Sequence, residues 1–561
     1  MRTILEVGRR ARALSRVALF ALGAAAAGCG SDKDRTFVDP YGTSTEPFPW
    51  PEPGAALPAS ALRLEPAMGV AYFDLDKKAG IPLPYKVVEV ASGTDVTAKA
   101  TFGAKEVRYG RFEKNAFIAS LSTGDPLGVT TLVGAKVGND FVFAHLAVLQ
   151  ESRTGKRRDG TALGPLNADA QPNKLVLAAG GGLYKADVAI VMDTTGSMGG
   201  SIADLVSSLV GKILPELRRQ IPDIAFGLVE HKDYPVSPYG GTGDFPVKLH
   251  REITDNVESV RTALASLSAS GGSDLPESQV PAMFHALTGA ELKWSSGSVP
   301  KREPPAGKLG AIGFRPGALP IVVLVTDIDW HEATHDPYSA STVPDAVTRE
   351  QLADAFNGLN AKFINVTQTQ MGRTTEEQPD WLSDKTASNV PVTAFQSKCG
   401  AGKCCTGVSG AARDPSGPDG RCRLNFLHNS GEGLTDSVIT GISGLSIGTS
   451  FDVSAKITAS GIKGPDASKL ITAVRPVAAG DATIGCLAHD VKDTNGDGTP
   501  DTFVAVPVTD NVCFEVDVAK NTTINPTGVP QIAWAFLDLI GNPGQVLLDR
   551  RVVMIVVPPK S

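Results

Sequence analysis

The sequence predicts a central α/β layer, built as a doubly wound parallel sheet, with an all-β region on either side of it. Three observations predict it. Between Leu183 and Leu445, short and almost wholly apolar runs alternate with stripes of apolar residues at helical spacing. Over residues 61–180 and again over 446–561, apolar residues recur with period two between clusters of turn residues. The segment Asp193-Thr194-Thr195-Gly196-Ser197 falls between the first central apolar run and the longest helical stripe. That junction is where an open α/β sheet binds its ligands.

The elements follow in chain order. Lys86–Val90, Val96–Phe102, Ala116–Leu121 and Phe141–Leu149 read as strands with little helical periodicity between them, which suggests a β-sandwich over 61–180. The central strands are Ala186–Met192, Ile224–Glu230, Pro320–Thr326 and Ala361–Val366. Their unbroken apolar character suits strands covered on both faces. Ile202, Leu205, Val206, Leu209, Val210, Ile213, Leu214 and Leu217 form the first helical stripe. Val257, Val260, Leu264 and Leu267 form the next, then Leu352, Phe356 and Leu359, then Leu434, Val438, Ile439, Ile442 and Leu445. Such stripes face a core. Inserts interrupt the pattern at about 234–248, 291–318 and 367–425, with a Cys-rich stretch over 395–425. After 446 the alternations Phe451-Val453-Ala455-Ile457 and Val552–Ile555 predict a second β-sandwich.

The chain has 561 residues, enough for roughly three or four domains. It is 42% hydrophobic and 20% charged, which suits globular packing. A net charge of -7 with no long basic run argues against a nucleic-acid partner. Arg2, Arg9, Arg10, Arg12 and Arg16 precede a short apolar stretch, Val17–Gly28, that ends in Ala26-Ala27-Gly28-Cys29. This resembles a bacterial lipoprotein signal, with Ala rather than the usual Leu at its first lipobox position. The resemblance implies cleavage after residue 28, lipidation of Cys29 and anchoring to the cell envelope, at the outer membrane or cell surface. Residues 29–60, rich in Pro, Ser, Thr, Asp and Gly, read as a flexible tether.

Seven cysteines less Cys29 leave Cys399, Cys404, Cys405, Cys422, Cys486 and Cys513. An even set in an exported chain suggests disulfides. A bridge between the adjacent Cys404 and Cys405 would be strained, so each is expected to pair with Cys399 or Cys422, leaving Cys486 with Cys513. A zinc site built from the first four thiols is the alternative.

Asp193, Thr195 and Ser197 make an Asp-x-Thr-x-Ser pattern; Gly271-Gly272-Ser273-Asp274-Leu275-Pro276-Glu277 follows, and Asp327 closes Val323-Leu324-Val325-Thr326. These three segments resemble the loops of a von Willebrand factor type A domain of the hemicentin-like kind, and the resemblance covers Leu183–Leu445. It implies a Rossmann-like fold with a metal-ion-dependent adhesion site whose ligands are Asp193, Thr195, Ser197, Asp274 and Asp327. Asp274 stands where the family usually has Thr. Short oxygen-bearing side chains on loops suit Mg²⁺, or a similar divalent cation, which takes about six oxygens at roughly 2.0–2.1 Å and keeps some of its water. The helix start near Gly199 favours an anionic partner. The resemblance implies a protein or glycan ligand that offers a carboxylate.

Asp493, Asn495, Asp497, Thr499 and Asp501, with Gly498 at the sixth position, space oxygens like the front of a calcium loop, although Val504 stands where the bidentate Glu belongs. The stretch resembles dockerin and thrombospondin type 3 loops, and the expectation is a β-hairpin loop that takes Ca²⁺. The other reading is an Asn-Gly/Asp-Gly turn without an ion.

His331-Glu332-Ala333-Thr334-His335 matches the zinc-protease pattern, which needs a continuous helix. Asp336-Pro337 follows at once and should stop any helix. We therefore expect a non-enzyme in which His331 and Asp329 shape the rim of the adhesion site. The alternatives are an envelope-assembly protein without an external ligand, and a zinc hydrolase using His331, Glu332 and His335. No Ser-His-Asp arrangement or phosphate loop accompanies these residues.

Overall fold

The computed structural model describes residues 48–560 except 53, 122–123, 153–161, 168–173, 369–375 and 430, and only the backbone over 162–167. The signal segment, Cys29 and residues 29–47 of the tether lie outside the described residues.

Six strands form the central sheet, in the order Lys248–Thr254, Asp223–His231, Lys185–Asp193, Leu319–Thr326, Lys362–Gln368 and Asn425–His428. Neighbours pair parallel except for the antiparallel edge strand Lys248–Thr254. Parallel neighbours require crossovers, and the helices supply them on both faces. The pleat sorts the side chains between those faces. Val188, Ile190 and Met192 pack in the layer that holds Ile202, Leu205, Val260, Val438 and Ile442. Ala189 and Val191 pack in the layer of Val280, Met283, Leu352, Phe356 and Leu382.

The four apolar runs read from the sequence are all strands here. Others carried no such signal. Lys248–Thr254 is a half-exposed edge strand and lacks an apolar run. The helix Gln279–Thr288 is buried almost all round, so it shows no one-sided stripe.

The N-terminal β region has a five-stranded sheet with the order Ala79–Ile81, Met68–Asp74, Asp140–Glu151, Gly128–Val137, Thr101–Ala104. Two smaller sheets share its core through Leu64, Val87 and Phe117. Residues 162–180, grouped with this region on sequence, belong elsewhere. The backbone of Ala162–Asn167 pairs parallel with Val546–Val557, and Lys174–Gly180 pairs antiparallel with Asn511–Val518. Period-two patterning announces a strand but not its partner, which is chosen by non-local packing. The chain therefore enters the C-terminal β region before residue 183 and returns to it at Ser450. The central layer is an insertion between strands of one β unit.

The entry to the insertion is tightly built. Gly180, Gly181 and Gly182 all have positive φ. A side chain at Gly180 would lie 2.6 Å from the carbonyl of Asp510. The Gly180 N–H donates to the buried Asp549 carboxylate (2.9 Å), which also accepts from the Arg551 Nε (2.6 Å). Disulfides join Cys399 to Cys405, Cys404 to Cys422 and Cys486 to Cys513. The first two staple the Cys-rich insert, and they consume the thiols that the zinc alternative needed.

Near the start of the first central strand, Arg315 donates from its backbone N–H (2.5 Å) and Nε (2.7 Å) to Asp187, and from a terminal nitrogen to Asp223 (2.6 Å). Asp187 is fully buried. Removing Asp187 strips Arg315 of two hydrogen bonds and leaves its guanidinium with Asp223 alone. Asp187→Ala should therefore lower stability by about 3 kcal/mol, read as a reduced denaturant midpoint of the full chain. A midpoint equal to wild type would contradict this account.

Candidate metal centre

The first strand delivers Asp193 at its C-terminal end, and a turn leads into the helix beginning at Gly199. Asp193 is fully buried. Its Oδ1 accepts from the Thr195 N–H (2.9 Å) and Thr195 Oγ1 (2.8 Å), and its Oδ2 accepts from Thr326 Oγ1 (2.8 Å). Thr326 precedes the buried Asp327 at the end of the neighbouring strand. Two of the expected loops are thus joined directly. Ser197 sits exposed on the turn.

Hydrogen bonds bring up the remaining loop. The Ser270 N–H donates to the Thr194 carbonyl (2.9 Å), and Lys232 Nζ donates to that carbonyl (2.9 Å) and to Ser270. Gly271 and Gly272 both have positive φ. A side chain at Gly271 would fall 1.9 Å from Asp244 Oδ1, and one at Gly272 would fall 2.6 Å from Glu277 Oε1. The same point beside Gly272 is 3.4 Å from Thr195 Cγ2, so the Glu277 carboxylate lies close to the first loop. Only glycine permits that approach.

Sequence reasoning did not select Glu277 or Asp233 as site residues. Glu277 is buried, and its carboxyl is pushed up to about 11, first by burial and then by the charges of Asp193, Asp233, Asp274 and Asp244. Asp233 is fully buried, and burial pushes its carboxyl up. Asp274 is half-buried; burial raises its carboxyl and the charge of His331 opposes that rise. Asp274 Oδ2 lies 3.3 Å from His331 Nε2. The signals were present but weak: Glu277 stands three residues beyond Asp274, and Asp233 follows the second strand.

Nearby, Glu230 accepts from Thr194 Oγ1 (2.8 Å) and lies 2.5 Å from His250 Nε2. Burial pushes its carboxyl up, but the hydrogen bonds from His250 and Thr194 outweigh that and hold it low. Glu230 is therefore satisfied. Asp233 Oδ2, Asp274 Oδ1 and Glu277 Oε2 are not: each is buried without a hydrogen-bond partner. Buried oxygens of this kind fit a hard cation, because an unpaired buried carboxylate is otherwise costly.

The zinc-hydrolase pattern fails on geometry. Residues 332–335 form a tight turn in which the backbones of Glu332 and His335 exchange hydrogen bonds. His331 is buried beside Asp233, while the side chain of His335 is exposed beside Asp329 and Asp336. Glu332 is engaged by Thr334. The two imidazoles point to different surroundings because no helix aligns them.

The loop 493–501 joins Val491–Lys492 to the antiparallel strand Thr502–Pro507. Asp493 accepts from the N–H groups of Gly498 (2.8 Å) and Gly496 (2.7 Å), which hold its carboxyl below the usual range. Asp501 accepts from Thr494, Asn495 Nδ2 donates to Asp497, and Thr499 N–H donates to Asp497. The loop is exposed and bonded mainly within itself.

No family model matches the chain, and no curated protein matches it. Among solved structures it is similar to the pilus adhesin SpaC from Lactobacillus rhamnosus GG in its open conformation. The two share 10% identity with a TM-score of 0.26, over 81% of this chain and 47% of that one. The chain thus spans less than half of that adhesin.

The carboxylate cluster sets a pH dependence. Below 4.5 Glu277 is protonated in both folded and unfolded chain; between there and about 11 the unfolded chain ionises it more readily. Cation-free stability should therefore fall as pH rises through that window. Thermal melts in EDTA at acidic, neutral and alkaline pH read the slope, and Glu277→Gln should flatten it. The same slope in wild type and variant would refute the assignment.

Proposed function

We propose that this chain is a lipid-anchored cell-surface protein that binds a protein or glycan partner through a divalent cation, in a domain of the von Willebrand factor type A kind. The observation that carries the reading is the pair of buried, hydrogen-bond-deficient carboxylate oxygens, Asp274 Oδ1 and Glu277 Oε2, on the glycine loop beside the C-terminal ends of parallel strands. Asp193, Thr195, Ser197 and Asp327 would hold Mg²⁺ or a similar ion, with Asp274 and Glu277 supplied by the glycine loop. When bound, the ion offsets the crowded negative charge and leaves a position open to a partner's carboxylate. The exposed Ser197 turn and the half-buried Asp274 mark where that partner would approach.

The chain's own residues do the preparation. Thr195 and Thr326 fix both oxygens of Asp193. Lys232 clamps the 270–277 loop onto the first loop through Thr194 and Ser270. Anchoring through Cys29 and Ca²⁺ uptake by Asp493, Asn495, Asp497, Thr499 and Asp501 belong to the same reading. They give a surface-tethered binding layer and a stiffened hairpin.

The experiment is capture of partners from native envelopes and neighbouring cells by the full chain, with Mg²⁺ or with EDTA. Capture should require Mg²⁺, and Asp193→Ala should remove it, together with Mg²⁺ uptake in calorimetry, while far-ultraviolet circular dichroism stays unchanged. Capture that ignores both EDTA and Asp193→Ala would favour an envelope-assembly role instead.

A further inference from the structure

We infer a second metal site beside the one proposed around Asp193, sharing Asp274 with it, in which Asp233, Asp274 and His331 bind a first-row divalent transition ion such as Zn²⁺ or Mn²⁺. One carboxylate oxygen from each aspartate and one imidazole nitrogen lie within 4.8 Å of one another. His331 Nε2 is 3.4 Å from Asp233 Oδ2 and 3.3 Å from Asp274 Oδ2. A charge-assisted hydrogen bond closes to about 2.7–2.9 Å. Donors around a common tetrahedral ion, with bonds of about 2.0–2.2 Å, stand instead roughly 3.3–3.6 Å apart. The two spacings to His331 Nε2 are those of co-ligands.

A second observation is independent of the clustering. Asp233 Oδ2 and His331 Nε2 belong to side chains at most 3% exposed, and neither makes a hydrogen bond of good geometry: they face each other only at an ion-pair separation of 3.4 Å. Their other atoms are fully used. Asp233 Oδ1 accepts from the Tyr338 hydroxyl (2.6 Å) and the Tyr234 N–H (2.6 Å). His331 Nδ1 faces the Asp336 carbonyl, to which it donates. In the neutral imidazole that bond leaves Nε2 as the lone-pair nitrogen, aimed at two carboxylates, and an ion there would displace the proton that Nε2 carries in the charged form. Outer-shell contacts of this type orient metal-binding imidazoles and carboxylates. The Tyr338 ring packs 4.2 Å from the imidazole and the Tyr239 ring meets it edge-on at 5.1 Å, fixing its plane.

The donor set decides the class of ion. An imidazole nitrogen with carboxylates favours Zn²⁺, Mn²⁺, Co²⁺ or Ni²⁺ over the oxygen-seeking Mg²⁺ and Ca²⁺. This site rests on its own donors, His331 Nε2 and Asp233 Oδ2, and shares only Asp274 with the Asp193 reading. An ion here would tie that loop to the segments after two different strands.

The test uses Co²⁺ as probe on the metal-stripped full chain in excess Mg²⁺, which occupies oxygen-only sites. Wild type should retain about one equivalent of Co²⁺ with visible bands that report nitrogen ligation. His331→Gln and the near-isosteric Asp233→Asn should each lose it, with the fold checked by circular dichroism. No retained Co²⁺ in wild type would overturn the inference and leave a protonated His331 bridging two carboxylates. Retention unchanged in both variants would overturn it equally. Failure of the Asp193 reading is seen separately, as Mg²⁺ uptake that survives Asp193→Ala.

Discussion

Negative charge packed at the ends of parallel strands is the constraint on which the rest of this molecule depends. The charges of Asp193, Asp233 and Asp274 raise the cost of ionising Glu277, and three of these four residues are buried. A fold tolerates such crowding only where the surrounding backbone cannot relax. The parallel sheet supplies that rigidity, since the strands bearing Asp193 and Thr326 are central and covered on both faces. Hydrogen bonds from Thr195, Thr326, Tyr338 and the Tyr234 N–H then hold the carboxylates in place.

The glycine pair in the 271–277 loop carries the same logic into the backbone. A Cβ at Gly271 or Gly272 would collide with the carboxylates of Asp244 or Glu277. The loop is shaped around its acidic neighbours, and Lys232 ties it to the first loop by donating to backbone carbonyls. A cation in the centre would convert repulsion into cohesion. Ligand binding and local stability would then be two readings of one electrostatic balance.

The insertion topology gives this layer a mechanical setting. Chain enters through Gly180–Gly182 and leaves just before Ser450, both within one β unit. The entry is anchored by Asp549 and the buried Arg551. Two short connections from one support restrict the layer's motion more than a single linker would. Pairing of residues 162–180 with C-terminal strands made this topology, and no local pattern announced it.

Local chemistry in the sequence was enough to locate the central strands, the striped helices, the Asp-x-Thr-x-Ser turn, the glycine loop and the pairing of Cys486 with Cys513, because spacing and residue type speak directly for those features. It also spoke against a helical zinc motif, since Asp336-Pro337 breaks the helix such a motif requires. Only the tertiary structure decided that Glu277 and Asp233 join the cluster, that His331 faces Asp233 and Asp274 while His335 turns away, and that the central layer is inserted in a β unit. Each of those outcomes rests on contacts between segments far apart in the chain, where burial and charge are collective properties that no single stretch of residues contains.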